Sequence, residues 1–102
     1  METQPRSQDR VIKILRNLAE RGWIPLRSLA QLINVSPPAI HQRKSRGTIS
    51  TIRVGGTERV YEEEVVRVLR ASCNKYDFEF LNEMLARHKR LMITKEEGVE
   101  HE

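Results

Sequence analysis

The sequence predicts a mainly α-helical domain with a small β-hairpin. Three observations carry this reading. Apolar residues recur at helical spacing over most of the chain, one short stretch turns to β-branched residues on either side of Gly55 and Gly56, and start and stop signals divide the remainder into five helices. At 102 residues, 38% hydrophobic and 5% aromatic, the chain has room for one core, built mainly from Ile, Leu and Val.

Residues 1–8 contain Pro5 among polar neighbours without periodicity, so a flexible lead-in is expected. A first helix is predicted from Asp9 to Arg21, with Asp9 at the positive end of its dipole, Val11, Ile14, Leu15 and Leu18 on one face, and Gly22 as the stop. Trp23 to Pro25 form a short extended piece, with Trp23 expected to plug the core between the first helix and the hairpin. A second helix covers Leu26 to Ile33, presenting Leu29, Leu32 and Ile33, with Ala30 where another helix can approach closely. After a turn at Asn34 and Val35, Ser36 caps a third helix and Pro37 takes its first position, where a missing N–H costs least. This helix is predicted to run to Arg46 and stop at Gly47.

The runs TISTIRV and TERVY around Gly55-Gly56 then read as a tight two-residue hairpin. Glu62, Glu63 and Glu64 open a fourth helix that reaches Ser72 and closes a domain over residues 9–72; the three acids suit the helix dipole. Asp77 is the expected cap of a fifth helix within residues 75–92, and the polar residues 93–102 read as a disordered tail. In that fifth helix Phe78, Leu81, Leu85, His88 and Met92 alternate steps of three and four, the spacing of a two-helix seam, and Phe80, Met84 and Leu91 widen the same side. A homodimer held by this helix is expected, with folding back onto the first helix as the alternative. Protonation of His88 would weaken such a seam. The C-terminal region is also the place for any further protein partner.

Charge is unevenly spread. Residues 1–61 hold eleven Lys/Arg against four Asp/Glu, a net +7, while residues 62–102 hold seven against ten, a net −3. A concentrated positive field suits a polyanion, because Lys and Arg release counterions condensed on phosphates. No run of about 18 apolar residues exists to span a bilayer, and the N-terminus lacks the apolar centre of a signal peptide, so no membrane association and a cytoplasmic location are expected. Cys73, the single cysteine, fits a reducing compartment and reads as a small packing residue. One Cys and the scattered His41, His88 and His101 make no ligand cluster, so neither metal nor cofactor is expected. Without a phosphate loop, a nucleophile beside a base, or paired carboxylates outside helix starts, no enzyme is expected.

Three helices followed by a hairpin, with the segment LAQLINVSPPAIHQRKSRG at residues 29–47, resemble the winged helix-turn-helix superfamily over residues 9–61. Ala30, Val35 and Ile40 stand where such motifs keep a small residue and two buried aliphatics, so that the second helix holds the third at a steep angle. RGTISTIRVGGTERVYEEEVVRVL, residues 46–69, is similar to the wing and following helix of MerR and excisionase-type regulators. Arg43 and Lys44 depart from that pattern, since many relatives place Trp or another apolar residue there; the Lys44 stem is expected to cover the core while its ammonium reaches water.

The resemblance implies a sequence-specific binder of double-stranded DNA, a transcriptional regulator or a phage or plasmid DNA-binding factor, with the third helix in the major groove and the wing on the backbone or minor groove. A plasmid-segregation role, or a protein-interaction adaptor on the same fold, is the alternative. The residues implied are Ser36, Pro38, Ala39, His41, Gln42, Arg43, Lys44 and Arg46 of the third helix and Arg53, Thr57 and Arg59 of the wing. Among them Gln42 suits adenine, Arg43 guanine and Ala39 a thymine methyl. Ser36 with the helix N-terminus is expected to hold a phosphate, and Arg53 and Arg59 to reach the backbone or minor groove from either side of the tip.

Overall fold

The computed structural model of the chain describes the backbone of residues 3–100 and the side chains of residues 9–92. Among these residues five helices and one three-stranded antiparallel sheet follow the order α1 (Thr3–Arg21), β1 (Trp23–Pro25), α2 (Leu26–Ile33), α3 (Pro37–Ser45), β2 (Ile52–Val54), β3 (Thr57–Tyr61), α4 (Glu62–Ser72) and α5 (Lys75–Glu100). No helix among them is long and apolar enough to cross a membrane.

Both outer helices are longer than the sequence predicts. α1 starts at Thr3 in place of the expected lead-in, because Pro5 falls in its first turn, where the absent N–H breaks no helical bond. α5 runs through Glu100 where a disordered tail is expected, since Ile93 to Glu97 contain no breaker and several good helix formers. Polarity argues against a packed core there, not against a helix. Residues 1, 2, 101 and 102 lie outside the described backbone.

The hairpin gains a third strand. β3 pairs with β2 through Ile52↔Arg59, Arg53↔Glu58 and Val54↔Thr57, and with β1 through Trp23↔Tyr61, Ile24↔Val60 and Pro25↔Arg59. A lone hairpin is marginal in water, and β1 lets Ile24 and Val60, directly opposite one another, be buried together. Pro25 is tolerated because β1 is an edge strand. Gly55 and Gly56 have φ of 56° and 84°, the positive pair that a type I′ turn demands. Strand alternation turns Ile24 inward and Trp23 outward, so Trp23 is no core plug. It lies half-buried on the outer sheet face, with the Arg59 guanidinium 4.1 Å and the Arg21 guanidinium 5.8 Å from its ring centroid.

The core is centred on α2, which touches α1, α3, α4, β1 and β3. Its fully buried side chains are Leu15 and Leu18 of α1, Ile24, Leu29, Ile40, Val60 and Val65. α5 then packs along α1, leaving Leu81 and Leu85 only 7% and 4% exposed within the single chain. Leu81 and Leu85 of the expected seam are thus taken up by the fold-back contact within the chain, whereas Phe78, His88 and Met92 stay half-buried. Such spacing encodes a helix face that needs an apolar cover but does not say whose. Here α1 supplies it at the high effective concentration of the same chain. The α5 cap is Asn74, not Asp77. Asn74 Oδ1 accepts from the Asp77 amide at 2.8 Å while Asn74 Nδ2 donates back to Asp77 Oδ2 at 3.1 Å.

Candidate nucleic-acid interface

α3 packs on α2 and is tied by side chains to the sheet and to α4. Ser36 Oγ accepts from the Ala39 amide at 3.3 Å, Pro37 occupies the first turn, and Ile40 is buried beneath the helix. Lys44 Nζ is ion-paired with Glu58 of β3, so its ammonium is bound to the sheet and not released to water as expected from the sequence. Glu58 also accepts from Thr51 Oγ1 at 3.1 Å and lies 3.7 Å from Arg53. The Lys44 hydrogen bond, against an opposing cost of burial, holds the Glu58 carboxyl below the usual carboxylate range. Arg43 reaches across to α4, donating to Ser72 Oγ at 3.4 Å.

The loop that leaves α3 is clamped as well. Thr48 Oγ1 donates to the Arg43 carbonyl at 2.8 Å, the Ser50 amide donates to Glu64 at 2.9 Å, and Arg67 donates to the Thr48 carbonyl at 2.7 Å. Ile49 is buried in the same loop. Glu64 thus serves more than the helix dipole. Its hydrogen bonds from Arg67 and then from the Ser50 amide, set against burial, hold its carboxyl low. Glu62 accepts from Lys89 of α5 at 2.7 Å. None of Ile49, Glu64 and Arg67 stands out in the sequence as a support for α3, because the loop they hold has no periodicity.

What α3 leaves open is a stripe of Pro38, His41, Gln42 and Ser45, spaced three, one and three residues apart and all exposed, with Arg46 exposed at its end. Pro38, His41, Gln42 and Arg46 are therefore brought together, with Ser45 added to the expected set. Ala39 is half-buried at the margin. Arg43 and Lys44 are drawn off the stripe by Ser72 and Glu58, which corrects the placing of Arg43 among groups free to meet a base edge.

A second correction concerns the helix N-terminus. Pro37 and Pro38 have no N–H, the Ala39 amide is taken by Ser36 Oγ, and the Ile40 amide bonds the Ser36 carbonyl at 3.0 Å. The first turn of α3 therefore offers no free N–H for the expected phosphate, and only the amide and hydroxyl of the cap residue Ser36 remain.

The hairpin divides its two arginines. Arg53 is opposite Glu58 in the register and so faces the same side as Glu58 and Lys44. Arg59, next to Glu58 along β3, turns to the other face and stacks on Trp23, with its buried Nε lacking a partner. Flanking the tip in sequence therefore does not put both on one surface. Arg53 joins α3, Thr57 is exposed at the turn on the face of Arg59, and Arg59 supports Trp23. Compared with known proteins, the chain matches no family model, no curated protein and no solved structure.

Proposed function

We propose that the chain is a winged helix-turn-helix protein that binds double-stranded DNA in a sequence-dependent way, with α3 in the major groove and the β2–β3 hairpin as a wing against the neighbouring backbone. The carrying observation is the exposed stripe Pro38, His41, Gln42 and Ser45 on a helix whose charged neighbours are spent on holding it. Rigid support of a base-reading helix is what readout requires, since each contact is worth little unless its geometry is fixed beforehand. On this reading Gln42 takes an adenine through its paired donor and acceptor, His41 and Ser45 meet neighbouring base edges or phosphates, and the carbon surface of Pro38 and Ala39 covers a thymine methyl. Arg46 and Arg53 neutralise phosphates. The helix order, the turn at Asn34 (φ 60°) and the hairpin after α3 support the same assignment.

Selection of bound duplexes from a random pool tests it. A common sequence should be enriched, and Gln42→Ala should lose about 1–3 kcal/mol of discrimination at one base pair while its melting temperature stays unchanged. A pool that emerges without any preferred sequence would overturn the sequence-dependent reading.

A further inference from the structure

The outer face of the sheet carries side chains that neither the core nor α3 uses. Strand alternation puts Trp23 and Pro25 of β1, Arg59 and Tyr61 of β3, and Ile52 and Val54 of β2 on this one side. Tyr61, Ile52 and Val54 are 37%, 57% and 41% exposed, and Trp23 and Arg59 are half-buried. Trp23 and Tyr61 are directly opposite in the register of β1 with β3, so their rings are neighbours, and Ile52 is likewise opposite Arg59. A contiguous open patch of aromatic and aliphatic side chains marks a surface that meets a ligand. Beside it a shallow hollow of about 310 Å³ opens between Ile52, Arg59 and Tyr61 and the start of α4.

Stacking and charge together point to the occupant. The Arg59 guanidinium lies 4.1 Å from the Trp23 ring centroid and the Arg21 guanidinium 5.8 Å from it. Arg59 Nε is withdrawn from water without an acceptor, so the guanidinium is fixed against the ring and only its terminal N–H groups are left to meet an acceptor from outside. Neither Arg21 nor Arg59 has a carboxylate within 4 Å among the described residues. Of the nearby acids, Glu58 faces the other side with Lys44, Glu62 is bonded to Lys89 and Glu64 to Arg67. Glu63, exposed at the rim of the hollow, and Glu20, exposed beside Arg21 in sequence, are left. The attraction for an anion is therefore local to the two guanidiniums on Trp23, and stacking must supply most of the affinity.

We propose that this face binds single-stranded nucleic acid, with one base stacked on Tyr61, the next on the Arg59 guanidinium backed by Trp23, and the phosphates toward Arg21 and Arg59. Bases stack on guanidinium planes as they do on aromatic rings, and they do so with little regard to sequence. A duplex keeps its base planes stacked on one another and offers none to such a surface. A proline-rich peptide would need the Trp23 ring itself, which Arg59 already covers. The contact uses none of the α3 stripe, so it stands or falls separately from duplex binding by α3.

Titration of the full chain with single strands of thymidylate and of uridylate, each about ten nucleotides long, tests the contact through the emission of Trp23, the only tryptophan. Saturable quenching is expected, and quenching in either arm supports the proposal and says which sugar the face accepts. A strand of the same length without bases should bind about tenfold more weakly or worse. Tyr61→Ala should weaken binding about tenfold with the helical circular-dichroism signal unchanged, because the Tyr61 side chain makes no capping bond to α4. Tyr61→Phe should bind like the parent, and so should Gln42→Ala. In titrations with duplex the Tyr61 changes should have no such effect. Emission unmoved by both strands, equal affinity for the strand without bases, or a folded Tyr61→Ala that binds like the parent would overturn the proposal. Quenching by a proline-rich peptide and by neither strand would also overturn it and assign the face to a protein.

Discussion

Replacing Leu85 by Ala separates a helix that completes the chain's own core from one that only joins two chains. Leu85 is 4% exposed and belongs to the same buried cluster as Ile14, Leu15 and Leu18 of α1. Removing three buried carbon atoms there forfeits their transfer energy and leaves a cavity, and such changes cost about 2–5 kcal/mol. Because α5 is the outermost helix and can settle toward α1, the lower half of that range, about 2–3 kcal/mol, is expected. A domain of this size has roughly 5–15 kcal/mol in total, so the loss is a large share of its stability. It corresponds to a fall in melting temperature of roughly 10–20 °C. Urea titrations followed by circular dichroism, at two widely separated protein concentrations, measure it. The difference between Leu85→Ala and the parent should be the same at both concentrations, because the lost contact lies within one chain. Glu79→Ala, exposed on the same helix, should change stability by less than about 0.5 kcal/mol. The reasoning fails if Leu85→Ala is as stable as the parent, or if its deficit appears only where dilution has dissociated a dimer.

Acid should loosen α3 before the rest of the domain. Glu58 and Glu64 both titrate below their ordinary 4.5 in the folded chain, so the stability they contribute is complete above that value and is lost as the pH falls below it through the folded values. Glu58→Gln combined with Glu64→Gln should therefore flatten the decline of melting temperature below pH 4.5, and an unchanged decline would deny these carboxylates the role of anchors. The two hairpin arginines should part company in DNA titrations. Arg53→Ala is expected to lower the slope of log affinity against log salt by about one. Arg59→Ala should leave that slope alone and shift the emission of Trp23, the only tryptophan, and the reverse pattern would mean the sheet faces are assigned the wrong way round.

By itself the sequence determined the tight turns and the inward faces of the helices, though not the outward side of Trp23 or the full length of α1 and α5. The Gly55-Gly56 hairpin, the Ser36-Pro37 start of α3, the span of α4 and the inward position of Ile40 are local matters, set by backbone preference and by apolar period over a few residues. Partners were beyond its reach. Whether Leu81 and Leu85 meet α1 or a second chain depends on which apolar face is nearest in space, and the spacing is identical for both. The same holds for the cations of α3. Arg43 and Lys44 read as two more positive charges until Ser72 and Glu58, twenty-nine and fourteen residues away, are brought beside them. Arg53 and Arg59 look equivalent about the turn until the pairing with β3 fixes their register, and alternation then sends them to opposite faces. Local rules act along the chain, whereas hydrogen bonds, ion pairs and the choice of sheet face act across it, and only the tertiary arrangement supplies the second coordinate.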